Sequence, residues 1–213
     1  MLGQLRAQSI SLQVSNREKC NGSCAFCISR TTPSSRGFQE TPDLLGESRL
    51  RVGLRVAERM GATHAILTGR ADPTQEDPKY ITWLISECNK YLPLCDMHTN
   101  GFLLLKGKKC HESIGYWTSA GLTMMTLSIA HYDKIINKRL MGISQDTKTL
   151  IPTLRDRGLL VRCSVVLAKS GICDIDTLMH YIKVMGSYGA QMVVVRALWV
   201  SDDYPAANQS VVA

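Results

Sequence analysis

The stretch VGLRVAERMGATHAILT, residues 52–68, holds the pattern that decides the fold. Its apolar residues Val52, Val56, Ala57 and Met60 share one face of a predicted helix. Gly61 follows where a glycine commonly ends a helix, and residues 63–68 are of the apolar and β-branched types that favour a strand. The stretch therefore predicts one unit made of a helix, a glycine and a strand.

The same unit recurs along the chain, with Gly121, Gly158 and Gly189 in the position of Gly61. Strands are predicted at residues 9–14, 63–68, 94–99, 124–130, 159–167 and 191–197. Further helical patterns cover residues 80–91, 150–154 and 178–185. This alternation predicts a parallel sheet with crossover helices. Both an open doubly wound sheet and a partial barrel fit the pattern.

The length and charge of the chain limit its class. Its 213 residues are enough for one core, so we expect a single domain over residues 1–213. No apolar run approaches the roughly 20 residues of a membrane span, and we expect a cytoplasmic protein without a membrane partner. The net charge of +7 has no accompanying motif of basic and aromatic residues, so nucleic acid is not expected as a partner. About 16 residues follow the last strand, either as a tail or as the start of a further region of a longer enzyme.

Three of the eight cysteines lie in CNGSCAFC, residues 20–27, directly after the first predicted strand. The spacing is C-x3-C-x2-C, and a loop allows the thiolates of Cys20, Cys24 and Cys27 to bind one metal group. Thiolates suit both iron–sulfur clusters and zinc. Three ligands leave one iron of a four-iron, four-sulfur (4Fe–4S) cluster open, as a catalytic metal requires. A zinc site needs a distant fourth ligand such as Cys95 or His98, and the cysteines alone leave both sites open.

This spacing, with the aromatic Phe26 before the last cysteine, resembles the radical S-adenosylmethionine (radical SAM) superfamily. The resemblance implies an α/β fold, a partial (β/α)6 TIM-like barrel, with a 4Fe–4S cluster and S-adenosylmethionine as cofactors. In that family the reduced cluster cleaves S-adenosylmethionine, and the resulting 5′-deoxyadenosyl radical abstracts hydrogen from a substrate. For this chain the resemblance implies an unidentified peptide, protein or small-molecule substrate and a flavodoxin- or ferredoxin-like reductant. It also places Phe26 near the adenine.

Further motifs of the superfamily match at the ends of later strands. Residues 68–74, TGRADPT, resemble the loop that holds the methionyl amine, with Ala71 and Asp72 where the family has glycine and glutamate. Residues 99–101, TNG, match the end of the third strand and imply a cofactor contact for Asn100. The resemblance implies cofactor contacts for four more residues, Gly69, Ser128, Arg162 and Arg196.

Several of these residues also have a structural interpretation. Asp72 precedes a proline and Asn100 precedes a glycine, and both pairs are common in turns. Arg162 and Arg196 interrupt apolar strands, and a buried arginine needs a paired group. An ion pair within the protein meets that need as well as a carboxylate of the cofactor or substrate does. For the whole chain, the alternative function is a non-catalytic iron–sulfur or zinc binding module.

Overall fold

The computed structural model describes residues 6–15, 19–27, 29 and 46–197, except the side chains of residues 108–110. The tail expected after the sixth strand and both ends of the expected domain lie outside the described residues. Within the described ranges, no helix is long and apolar enough to cross a membrane.

Six parallel strands form one sheet and stand in the order of the sequence. They are β1 (Ser9–Ser15), β2 (His64–Gly69), β3 (Leu94–Thr99), β4 (Met124–Ser128), β5 (Leu160–Leu167) and β6 (Met192–Ala197). All six predicted strands are confirmed, with ends within two residues of the predicted ones. A doubly wound sheet reverses its strand order part-way. This sheet does not reverse, so it is an open α/β partial barrel, as the resemblance implied.

Helices connect the strands and cover the outside of the sheet. Over residues 46–197 they are α1 (Glu47–Arg59), α2 (Pro78–Asn89), α3 (Lys108–Ser119), α4 (Lys134–Met141), α5 (Thr147–Asp156) and α6 (Ile175–Ser187), with a short 3-10 helix at Pro73–Gln75. The helical patterns at residues 52–60, 80–91, 150–154 and 178–185 correspond to α1, α2, α5 and α6. Helix α5 extends beyond the predicted residues 150–154 at both ends and contains Pro152. No apolar pattern was predicted for α3, although Gly121 implied a helix before it, or for α4, which consists of only eight residues.

Aspartates begin four of these helices. Each accepts a hydrogen bond from a backbone N–H of the first turn, which has no partner inside the helix. Asp133, for example, accepts from the N–H groups of Ile135 and Ile136 at the start of α4. The other three capping residues are Asp77, Asp146 and Asp174. The sequence thus fixes where these helices start, and with them the loops that follow the strands.

The two faces of the sheet differ in polarity. On the helix side, Leu67, Met97, Leu127 and Val161 are fully buried in the main core. Burying one such side chain contributes about 1.5–3 kcal/mol. The residues that alternate with them on β3, β4 and β5 are mostly polar and include His98, Thr126, Ser128 and Ser164, which line a cavity inside the barrel. The polar inner face places the candidate site inside the barrel.

Candidate cofactor site

One cavity of about 290 Å³ brings together residues from the loops that follow the strands. Ten of the eleven predicted site residues line it: Cys20, Cys24, Phe26, Cys27, Gly69, Ala71, Asp72, Asn100, Ser128 and Arg196. Arg162 does not. The carboxyl ends of parallel strands are the usual place of a site in barrel folds. Residues that are far apart in sequence therefore share this wall because they follow neighbouring strands.

The cysteine loop is held against the C-terminal end of helix α4. The backbone N–H of Ser23 donates to the carbonyl of Met141 at 2.8 Å, and that of Ala25 donates to the carbonyl of Leu140 at 3.0 Å. The last carbonyls of a helix have no partner within it. Gly142 ends α4 in the left-handed conformation, with φ of +69°. Helix α4, which the sequence pattern did not indicate, therefore docks the cysteine loop.

A second contact ties the cysteine loop to the short helix after β2. The backbone N–H of Asn21 donates to Oε1 of Gln75 at 2.9 Å. Within the cavity wall, Cys20, Cys24 and Cys27 carry reduced thiols and are half-buried. Phe26 packs with Met141 and Ile143 in a small separate apolar cluster. The loop is thus fixed by backbone contacts while its three thiols remain on the cavity.

Gly69 stands where the loop after β2 turns close to β1. A Cβ atom on Gly69 would lie 2.6 Å from the carbonyl oxygen of Ala71 and 2.7 Å from Cβ of Ser15, closer than real Cβ atoms approach. The N–H of Arg70 also donates to the carbonyl of Ser15 at 3.1 Å. Glycine is needed here for close approach, and Ala71 beside it is buried. This packing aligns the backbone of residues 69–71 along the cavity.

The carboxylate of Asp72 is buried and already bound by protein donors. It accepts from the N–H of Thr74 at 2.9 Å, the hydroxyl of Thr99 at 2.8 Å and the N–H of Asn100 at 2.6 Å. The residue is only 5% exposed. A buried carboxylate needs such donors because burial without them is costly. Asp72 therefore joins the loop after β2 to the end of β3, and a contact with the methionyl amine stays a prediction.

A chain of buried amides, which sequence reasoning missed, links the ends of β3 and β4. The side-chain amide of Gln145 donates to the carbonyl of Asn100 at 2.6 Å and to that of Ser128 at 2.9 Å. Asn137 donates to the oxygen of the Gln145 side chain and accepts from the N–H of Ala130 at 2.8 Å. Isolated Asn and Gln residues carry no spacing signal, so no sequence pattern points to them.

Arg162 is paired inside the barrel. Its guanidinium contacts the carboxylate of Asp96, which is buried, and its Nε donates to the hydroxyl of Thr126 at 2.9 Å. His98 completes the group, with Nε2 at 3.0 Å from Asp96 and 3.2 Å from Arg162. This is the ion pair that the sequence left open for Arg162. Arg196 differs, since its Nε donates to Ser164 at 3.1 Å and no ion pair forms among the described residues.

The geometry does not form the zinc site considered from the sequence. In the part of the chain that the structure describes, no three His, Cys, Asp or Glu side chains converge on one metal position. Cys95 is buried, and a hydrogen bond with Cys88 together with burial raises the pKa of its thiol far above the usual range. His98 is engaged with Asp96. A 4Fe–4S cluster binds each thiolate to a different iron, so its ligands need not meet at one point.

Comparison with solved structures identifies the fold. Methylornithine synthase (PylB) superposes with a TM-score of 0.67 at 15% identity, over 94% of this chain and 56% of that one. HydG, a maturase of the [FeFe]-hydrogenase, gives 0.66 at 13% identity, over 96% and 46%. Coproporphyrinogen III oxidase (HemN) from Escherichia coli, described as a radical SAM enzyme, gives 0.60 at 10% identity, over 96% and 46%. The fold is that of the radical SAM core.

The matched fold spans nearly all of this chain, and the chain spans only about half the length of the structures that it matches. No protein-family model matches the sequence. No curated protein matches it either. The likeness at these identities concerns the fold, and the chemistry of the site has to be argued from this chain's own residues.

Proposed function

We propose that this chain is a radical SAM enzyme in which Cys20, Cys24 and Cys27 bind a 4Fe–4S cluster. The observation that carries the proposal is the cavity itself. In the radical SAM core fold, the three thiols share one cavity with the segments that follow β2, β3 and β4. The cluster chemistry requires thiolates, and these three are half-buried on the cavity wall.

The buried side-chain nitrogen of Asn21 supports the presence of a bound group. This Nδ2 atom lies in the cysteine loop and has no hydrogen-bond partner among the described residues. Leaving a buried donor unpaired costs about 1–3 kcal/mol. Sulfur atoms of a cluster are acceptors and would meet that need. The donor set of the loop therefore fits the cluster chemically.

Cys20, Cys24 and Cys27 would hold the cluster, which when bound and reduced would supply one-electron cleavage of S-adenosylmethionine and radical hydrogen abstraction from a substrate. A flavodoxin- or ferredoxin-like protein would supply the electron. The chain's own residues bind and orient the cofactor. The backbone of residues 69–71 would hold the methionyl amine, with Asp72 holding that loop in place. Phe26 would lie at the adenine, and Ser128 and Arg196 would contact polar groups of the ligand.

The decisive experiment is anaerobic reconstitution of the full chain, followed by reduction with dithionite in the presence of S-adenosylmethionine. We expect 5′-deoxyadenosine and methionine among the products. The Cys24→Ala variant should lose both the cluster and the product. Cys173→Ala is the matched control, because Cys173 is exposed and lies outside the cavity wall. A protein with a spectroscopically complete cluster that forms no 5′-deoxyadenosine would instead be a non-catalytic iron–sulfur module.

A further inference from the structure

The side chain of Asn100 is held in a single orientation at the end of β3. Its backbone N–H donates to Asp72 at 2.6 Å, and its carbonyl accepts from Gln145 at 2.6 Å. The side-chain oxygen Oδ1 accepts from the backbone N–H of Phe102 at 3.0 Å. A backbone N–H can only meet the oxygen of an amide, so this contact decides which end of the amide is which. The nitrogen Nδ2 of Asn100 must therefore face the cysteine loop.

Two N–H donors reach the sulfur of Cys20. Nδ2 of Asn100 lies 2.7 Å from Oδ1 of Asn21 and 3.9 Å from Sγ of Cys20. The backbone N–H of Gly22 lies 3.5 Å from the same sulfur. Cys24 has a different neighbour, because its sulfur lies 3.9 Å from the carbonyl oxygen of Met141, which is an acceptor. Two N–H groups therefore lie beside the sulfur of Cys20, where they can donate to it.

The contact with Asn100 also fixes the orientation of the side-chain amide of Asn21. Because Oδ1 of Asn21 accepts from Asn100, its own Nδ2 must face away from that residue. This is the nitrogen that is buried without a partner among the described residues. As a thiol, Cys20 donates to Oδ1 of Asn21 at 3.4 Å, and a metal-bound thiolate no longer carries that proton. Cluster binding would thus leave Oδ1 of Asn21 to Asn100 alone.

From this geometry we infer that the amide pair Asn21–Asn100 donates hydrogen bonds to the sulfur atoms of the cluster site and thereby raises its reduction potential. The inference rests on the proposed metal site. Reduction adds negative charge to the cluster sulfurs, and N–H groups directed at them stabilise the reduced state more than the oxidised one. The amide pair makes the cluster easier to reduce.

The test is an EPR-monitored redox titration of the reconstituted full chain and its Asn100→Ser variant. Serine retains an oxygen for the turn at Phe102 but is too short to bring an N–H to Cys20. We expect the equilibrium constant for reduction of the cluster to fall roughly tenfold. For a one-electron couple this shifts the midpoint potential to more negative values by about 59 mV. Asn137→Ser is the matched control, because it loosens the same amide chain without removing a donor near the cysteines.

An Asn100→Ser protein with parental iron and sulfide content and parental potential would overturn the inference. A shift of equal size in Asn137→Ser would also overturn it, since loosening alone would then explain the change. If Asn100→Ser fails to fold, Asn21→Ala decides, because it removes the other amide of the pair, both its unpartnered Nδ2 and the oxygen that accepts from Asn100, and should shift the potential in the same direction. The potential is measured without S-adenosylmethionine, so a chain that forms no 5′-deoxyadenosine still tests it. A parent chain that binds no cluster refutes both proposals.

Discussion

Comparing Gly142→Ala with Gly158→Ala should distinguish the loss of cysteine-loop docking from the backbone strain that alanine causes at a left-handed glycine. Gly142 has φ of +69° and Gly158 has φ of +79°, so alanine at either position costs about 1–2 kcal/mol of backbone strain. At Gly158 an added Cβ meets no atom within 4 Å. At Gly142 it would lie 1.8 Å from Oγ, 3.0 Å from Cβ and 3.1 Å from the backbone nitrogen of Ser23. Only Gly142→Ala therefore disturbs the cysteine loop.

The size of the difference follows from the contacts that hold the loop. The hydroxyl of Ser23 can rotate away, but its Cβ and backbone nitrogen can move only if the loop moves. That movement strains the hydrogen bonds from Ser23 to Met141 and from Ala25 to Leu140. Each such bond contributes about 0.5–1.5 kcal/mol. We therefore expect Gly142→Ala to lower the free energy of unfolding by about 1–3 kcal/mol more than Gly158→Ala does.

Urea unfolding of the metal-free protein measures the stability difference, and iron analysis after reconstitution measures its effect on the site. We expect Gly142→Ala to bind less iron than Gly158→Ala under the same conditions. Ser23→Gly removes the Oγ and Cβ atoms that the new methyl group would meet, so the double variant Ser23→Gly, Gly142→Ala should recover much of the lost stability and iron binding. The single variant Ser23→Gly completes the double-mutant cycle. Equal stability and equal iron content in the two alanine variants would refute the docking role of the α4 terminus.

Two further predictions concern aspartates. Asp72→Asn replaces acceptors with an N–H group that faces protein donors, and should lower the free energy of unfolding of the metal-free chain by about 1.5–3 kcal/mol. Asp77→Asn, an exchange of equally good helix caps, should change it little in the same urea titration; equal effects would argue against the anchoring role of Asp72. At Asp174, the N–H of Thr177 lowers the carboxyl pKa, so its stabilisation of α6 is present above the unfolded pKa of about 4 and is lost as the pH falls through the lower folded value. The melting temperatures of the parent and Asp174→Ala should therefore differ near neutral pH and converge in acid, and a pH-independent difference would contradict this.

The strands could be predicted because their signal is local. Short β-branched and apolar runs indicate strands wherever they lie, four of them directly after a helix-ending glycine, and all six strands of the described sheet were found. Helix α4 was missed because eight residues give too few turns for a clear apolar period. Its ends were nonetheless readable, since Asp133 stands at the usual start position and Gly142 at the usual end. Capping residues would have found this helix where periodicity did not.

The site could be predicted only as far as chain order allows. The cysteines and the segments after β2, β3 and β4 follow strands that turned out to be neighbours, so their meeting at one edge follows from the parallel topology. The hydrogen-bond partners of each polar group do not follow from the topology. The amide of Gln145 bridges the carbonyls of Asn100 and Ser128, and nothing in the sequence spacing distinguishes it from a surface glutamine. Tertiary hydrogen bonds of this kind depend on loop geometry rather than on residue type.

The charged partner of Arg162 was also beyond what the sequence could predict. The sequence left two interpretations open for an arginine in an apolar strand, an ion pair or a ligand contact. The deciding residue, Asp96, lies on β3, 66 positions earlier in the chain, and is separated from β5 only by β4. Because Asp96 neutralises Arg162 and Thr126 and His98 complete the group, this guanidinium is committed to the barrel. Removing Arg162 would leave the buried charge of Asp96 without its cation, which costs far more than an exposed pair contributes. A ligand carboxylate on this side of the cavity would therefore meet Arg196, which binds only the neutral Ser164 among the described residues.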